Sequence, residues 1–218
     1  MKTSTETKLS LEKLSYLPSF AEYILEQRLD DFIALHMQLS EELDIPMMRF
    51  FRDLSYDQRF DFTKKASEEF LSYLAKNRAK QQIEDSLRRW KENLMPIVKR
   101  EDIVAEDITQ ITYLRKKALL HFVTDYTTET EDIIETIKEI DLFLVNSENA
   151  FINLYINQLK ENIDEHALLI EKITNTSPGI IYVYDVENNK ELYANKTTTE
   201  FLGYTPEEIT QMRADCVV

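Results

Sequence analysis

Glycine is almost missing from this chain of 218 residues: it has two, Gly179 and Gly203, and residues 1–178 hold none. Average usage of about 7% would place roughly twelve in that stretch. Hairpins and phosphate-cradling loops lean on glycine for positive φ, so its absence argues for helices joined by plain turns. Cysteine is down to Cys216 alone, which excludes an intramolecular disulfide and a cysteine-based zinc site. Positive charge is short as well. With 26 Lys and Arg against 40 Asp and Glu, the net charge of −14 argues against nucleic acid as a partner and disfavours an anionic membrane surface. No apolar run approaches the eighteen or so residues of a membrane span. Residues 1–8 are polar and lack the apolar core of a secretory signal, so a cytoplasmic location is the default expectation.

What is present reads as helix over residues 9 to about 175. Pro18, Pro46 and Pro96 mark joints. Leu25, Leu29, Phe32, His36, Leu39 and Leu43 step by four and three, as one face of a long helix would. Phe62, Ala66, Phe70 and Tyr73 repeat the spacing, as do Ile83, Leu87, Trp90 and Leu94. Val104, Ile108, Ile111, Ala118 and Phe122 follow, and then Ile133, Ile137, Ile140 and Leu144. Ser55 with Gln58, and Thr128 with Glu131, have the spacing of capping boxes. Six or seven helices before residue 147 predict a mainly α fold, a compact bundle or globin-like domain over 9–147. No repeat of solenoid length is visible.

Residues 148–175 predict a signalling helix. Ile152, Ile156, Leu159, Ile163, His166, Ile170 and Ile173 keep a four-three alternation over three heptads. With Ile156, Ile163 and Ile170 at a, Leu159 and His166 fall at d, a pattern that favours a parallel two-stranded coiled coil and hence a homodimer. Through Leu159 the simpler reading is the last helix of the bundle; from 160 to 174 it is a dimer stalk.

From Leu169 the chain reads LIEKITNTSPGIIYVYDVENNKELYANKTTTEFLGYTPEEI. An amphipathic helix leads to a strand over 179–186, a polar turn, a second strand over 191–195, and a short helix over 198–202 that ends at Gly203. Thr205, Pro206 and Glu208 have the form of a capping box opening a further helix. This segment, 176–218, resembles the first half of a PAS domain, with Asn195 where PAS domains commonly carry an Asn at the end of the second strand. A whole PAS domain has roughly a hundred residues, so the resemblance implies an incomplete α/β segment and a longer protein. The strands that would wall a ligand pocket are not in this chain, and no PAS cofactor residue carries over. The helical unit, through ITYLRKKALLHFVTDY and DIIETIKEIDLFL, more faintly resembles the globin-like, haem-free N-terminal domains of bacterial stressosome-type sensors. Together these resemblances imply a cytoplasmic sensory input region with no cofactor. It would pass a signal through a dimeric helix to PAS and to an output domain in the same gene, most often a histidine kinase.

The chain offers little catalytic chemistry. No H-E-x-x-H, Walker, G-x-S-x-G or Cys–His arrangement occurs. Glu129, Glu131 and Asp132 read as a solvated first helical turn. His166, within Asp164-Glu165-His166-Ala167, lacks the flanking pattern of a kinase phosphoacceptor. The expectation is therefore no metal site and no catalysis within this chain. Among His36, His121 and His166, His121 is the candidate axial ligand for an alternative reading as a haem-binding, globin-coupled gas sensor, although the histidine-flanking residues do not match that pattern. A second alternative is an oligomerisation adaptor of stressosome type.

Overall fold

The structure, a computed structural model, describes residues 11–95, 97–188 and 190–203, together with Thr205 and Glu208. It is mainly helical, with one two-stranded antiparallel sheet near the C-terminal end. The chain divides into two compact units, one ending at Tyr155 and one beginning at Ile156.

The first unit contains α1 (Leu17–Gln27), α2 (Leu29–Glu42), a 3-10 helix (Pro46–Phe51), α3 (Tyr56–Ala75) and α4 (Ala79–Lys91). A 3-10 turn (Arg100–Asp102), α5 (Ala105–His121), α6 (Val123–Tyr126) and the first part of α7 (Thr130–Thr176) complete it. Among the described residues no strand precedes Tyr182. α3 is the hub: α1, α2 and α4 all pack on it, while α5 packs on α2. The core takes Phe20 and Ile24 from α1, Phe32 from α2, Phe70, Leu71 and Leu74 from α3, Leu114 and Leu119 from α5, and Ile140 and Phe143 from α7. Each such side chain contributes about 1.5–3 kcal/mol on burial. A second cluster joins Phe51, Trp90, Val98, Ile103 and Ile108 to Phe151, Ile152 and Tyr155 of α7. α7 therefore stays with the first unit beyond residue 147, the boundary expected from the sequence, in line with its reading as the last bundle helix.

Local signals decide several ends. The Ser55–Gln58 capping box forms in both directions, at 3.2 and 2.9 Å. The Thr128–Glu131 box does not. α7 starts at Thr130, the Glu129 carbonyl accepts its first helical bond from Ile133 N, and Thr128 lies one residue too early to cap. The single long helix expected through Leu25 and Leu43 is two, bent at Arg28 (φ −135°, ψ 14°). No glycine or proline marks the bend. The Arg28 guanidinium instead reaches the Tyr23 hydroxyl, Asp31 and Asp125. Three positions need the left-handed backbone that glycine usually supplies, and Asp44, Asn77 and Asn93 fill them, with φ between 46° and 54°. Asn77 and Asn93 each close a helix C-terminus with paired bonds, as in Arg78 N to Tyr73 O and Asn77 N to Leu74 O. Asn and Asp tolerate this conformation better than other side chains, which is how so many helices are joined without glycine. Pro18 lies in the first turn of α1 and Pro46 opens the 3-10 helix; Pro96 lies outside the described residues.

α1 has no side-chain cap of its own. Its first amides are bound from far along the chain: Ser15 N, Tyr16 N and Leu17 N donate to the buried Glu139 carboxylate of α7 at 2.8–2.9 Å. Asp107 makes a second tie of this kind, accepting from Met47 N at 2.7 Å and from Val104 N at 2.9 Å.

The second unit begins in α7 and adds β1 (Tyr182–Asp185), β2 (Lys190–Ala194) and α8 (Lys196–Leu202). β1 starts three residues later than the expected 179, and the Asn195 side chain explains the shift. Asn195 is fully buried; its Nδ2 donates to Thr174 O and Gly179 O while its Oδ1 accepts from Ile181 N. These bonds hold 179–181 against the end of α7 instead of in a ladder. Asp185 folds the turn by accepting from Glu187 N and Asn188 N, and the bonds from the Asn188 side chain and backbone hold its carboxyl below the usual range. Gly203 sits at φ +76°, ending α8 as its position requires. The Thr205–Glu208 capping box forms at 2.8 and 3.2 Å; the rest of that expected helix lies outside the described residues.

Removing the Glu139 carboxylate should unsettle the first unit. Glu139→Ala leaves three amide donors short of an acceptor and is expected to cost about 3 kcal/mol, seen as a fall in the urea midpoint. Glu139→Gln keeps one oxygen acceptor and should lose roughly half as much.

Candidate functional site

A cavity of about 450 Å³ lies in the first unit, where α2, α3 and α5 meet the 3-10 helix and the 95–98 segment. That volume is in the range of small-molecule pockets, about 300–1,000 Å³. Its walls include Phe32, Phe62, Phe70 and Ile111, which lie on helical faces the sequence showed as apolar, together with Met37 from α2 and Leu114 from α5. Met47, Met48 and Phe51 close the floor from the 3-10 helix. Flexible methionines suit such a wall, because they can follow the outline of whatever fills it.

Two ionisable groups enter this apolar space, His36 from α2 and Arg115 from α5. Both are half-buried residues of its lining. Burial lowers the Arg115 guanidinium to about 10, and the neighbouring Arg89 pushes in the same direction. Burial also lowers His36 to about 4, with Arg115 as the second cause, so His36 is neutral near pH 7. Arg115 lies over the Phe70 ring at 4.9 Å. Among the described residues no carboxylate pairs with it. Glu69 is bridged to Arg89 at 2.8 Å.

The rim is charged and paired. Arg59 of α3 bridges to Glu41 of α2 at 3.1 Å, and Arg52 bridges to Asp44 at 3.2 Å. Exposed pairs of this kind contribute at most about 1 kcal/mol each, so the rim can open at little cost. The Nε of Arg59 is enclosed and has no hydrogen-bond partner.

The residues singled out from sequence fall elsewhere. His121 is exposed at the end of α5 and does not line the cavity; the histidine that does is His36. Ile156, Leu159, Ile163, His166, Ile170 and Ile173 lie on the second-unit part of α7, and all are exposed. Ile163 reaches 65% exposure and Ile170 60%. His36 was legible only as one step in a helical seam, and Arg115 carried no signal, since nothing local marks which basic residue of α5 turns inward.

No family model, curated protein or solved structure matches the chain. No helix is long and apolar enough to cross a membrane, and no group of three or more His, Cys, Asp or Glu with metal-site geometry occurs among the described residues.

The depressed His36 value sets a pH dependence. The unfolded chain takes up the proton near pH 6.5 and the folded chain only near 4, so stability is fully present above 6.5 and is lost as pH falls toward 4. The loss is at most about 3 kcal/mol. Urea denaturation of wild type and His36→Gln at pH 7.5, 5.5 and 4 should show the difference between them narrowing as the pH falls.

Proposed function

We propose that this chain is the sensory input region of a bacterial signalling protein. Its helical unit receives a small-molecule signal, and α7 passes the change as a paired helix to a PAS-type segment. The output domain, a histidine kinase in the reading the resemblance favours, lies outside these residues, and the chemistry here is a conformational shift without turnover. One observation carries the proposal: α7 is a single helix whose first part is built into the core and whose later part repeats an apolar heptad left exposed among the described residues. β-Branched residues at a and Leu159 at d suit a parallel pair. The cavity supplies what an input unit needs, a place for a ligand.

A haem-bearing form of the same reading has one specific support, a histidine in an apolar cavity, and it would use His36, not His121. A Soret band in the purified chain would favour it; a featureless visible spectrum after haem is supplied would remove it.

The pairing is tested by mass. The wild-type chain should sediment as a dimer at tens of micromolar, about the range in which three heptads become marginal. Ile163→Asp combined with Ile170→Asp should give monomers with unchanged helix content in the first unit. A monomeric wild type would sink the stalk.

The second unit should be the less protected one. Val183, Leu192 and Phe201 are all more than half exposed, and a two-stranded sheet is marginal alone. Amides of 182–194 should exchange with deuterium well ahead of those in α3. Equal protection would overturn the reading of this segment as part of a larger domain.

A further inference from the structure

We propose that the cavity of the helical unit binds a monoanionic small molecule, a carboxylate or similar acid joined to an apolar body, with Arg115 taking the acidic group. This deepens the sensory reading and rests on it for its role in signalling.

The body of the ligand follows from the walls. Phe32, Met37, Phe62, Phe70 and Leu114 offer carbon surface on several sides, and a polar or sugar-like molecule would leave its own groups unpaired there. The head follows from charge. Arg115 enters the cavity from α5 and has no carboxylate partner among the described residues, and its Cζ lies 4.9 Å from the centroid of the Phe70 ring. Its guanidinium makes no hydrogen bond among the described residues, and a planar fork of N–H donors fits a carboxylate with two parallel bonds. Carboxylates nearby are spent: Glu41 and Asp44 are bridged to Arg59 and Arg52, and Glu69 to Arg89. The enclosed Arg59 Nε, without a hydrogen-bond partner, adds a donor on a group whose charge Glu41 balances. His36 adds no charge near neutral pH, so the potential inside is that of uncompensated guanidinium. A cationic ligand meets repulsion there, and a neutral one leaves Arg115 unsatisfied. A dianion such as a phosphate ester would need a more polar wall than this one.

The path from the ligand to α7 is short. The Phe70 ring that touches Arg115 also packs against Phe143 of α7, with centroids 5.9 Å apart. Drawing the guanidinium toward an acid changes the packing of the ring that α7 leans on.

A matched pair of fluorescent probes tests the site on the whole chain. Anilinonaphthalene sulfonate carries the anion, and N-phenylnaphthylamine has the same body without it. Wild type should bind both at one site, the sulfonate more tightly. Arg115→Met, checked as folded by near-UV circular dichroism, should weaken the sulfonate by about tenfold or more, the scale of one charged hydrogen bond. It should leave the neutral probe within about twofold. Equal loss of both, or no loss of either, overturns the proposal. If Arg115→Met does not fold, displacement from wild type decides: butylbenzoate should expel the neutral probe at concentrations where butylbenzamide does not, and equal displacement overturns the assignment. A wild-type chain that binds the anion selectively yet stays monomeric supports the pocket and overturns the dimeric relay.

Discussion

The first unit depends on a carboxylate with no local reason to be where it is. Glu139 sits mid-helix on α7, buried, and takes the three opening amides of α1 from residues more than 120 positions earlier. Taking a charge into a core is costly unless hydrogen bonds replace its water. Here they come from a helix N-terminus, where amide donors and the dipole both favour an anion. The bargain is mutual, since α1 lacks a side-chain cap and Glu139 has no cation partner among the described residues. It also fixes the rotation of α7 about its own axis, because a turn of the helix would carry the carboxylate away from the amides. Ile140 and Phe143 are then held toward the core beside it. Asp107 does the same for the 3-10 helix through Met47 N, and thereby sets the floor of the cavity.

With α7 held in rotation, the cavity and the exit helix are linked by contacts of a few ångströms. Arg115 rests on Phe70, and Phe70 rests on Phe143, four residues along α7 from Glu139. Such a chain of contacts is a route for coupling only if its members have two arrangements. Arg115, over the Phe70 ring and without a hydrogen bond among the described residues, is the member that the proposed ligand would move. Under that proposal its second arrangement would be the one in which an acid meets its N–H donors.

Much of the architecture was legible because it depends on near neighbours. The helical faces, the Ser55–Gln58 box, the turn at Gly203 and the Thr205–Glu208 box all rest on residues within a turn or two of each other. The role of Asn195 was visible as a position in a resemblance, although its bonds to Thr174, Gly179 and Ile181 were not. What escaped was long-range. The bend at Arg28 is held in part by Asp125, nearly a hundred residues on. Nothing in the sequence near Glu139 singled it out. The cavity is the clearest case: its walls come from five segments, and periodicity shows that a face is apolar without showing whether the opposing face fills it. Glycine scarcity was read correctly as a sign of helices. It hid three left-handed positions that Asp44, Asn77 and Asn93 supply.

α7 has to be a core helix and an exposed one, and it separates the two tasks by face as well as by length. At 3.6 residues per turn each residue advances about 100°. Thr136, Glu139, Ile140, Phe143, Leu144 and Ser147, the buried set, cluster around one direction of the helix. Ile156, Leu159, Ile163, Ile170 and Ile173 cluster around another, roughly 150° away. Ile152 points with the later set and still packs on the second cluster of the first unit, so the core contact itself reaches that direction before the exposed stripe begins. Val145, more than half exposed though it lies within the first unit, already belongs to this second stripe. A helix that merely ended the bundle would gain nothing from apolar residues on its outer face. Under the proposed pairing, the exposed residues from Ile156 to Ile173 are what a copy of the helix would cover. Such pairing would leave the Glu139 cap and the Phe70–Phe143 contact untouched, because neither uses those residues.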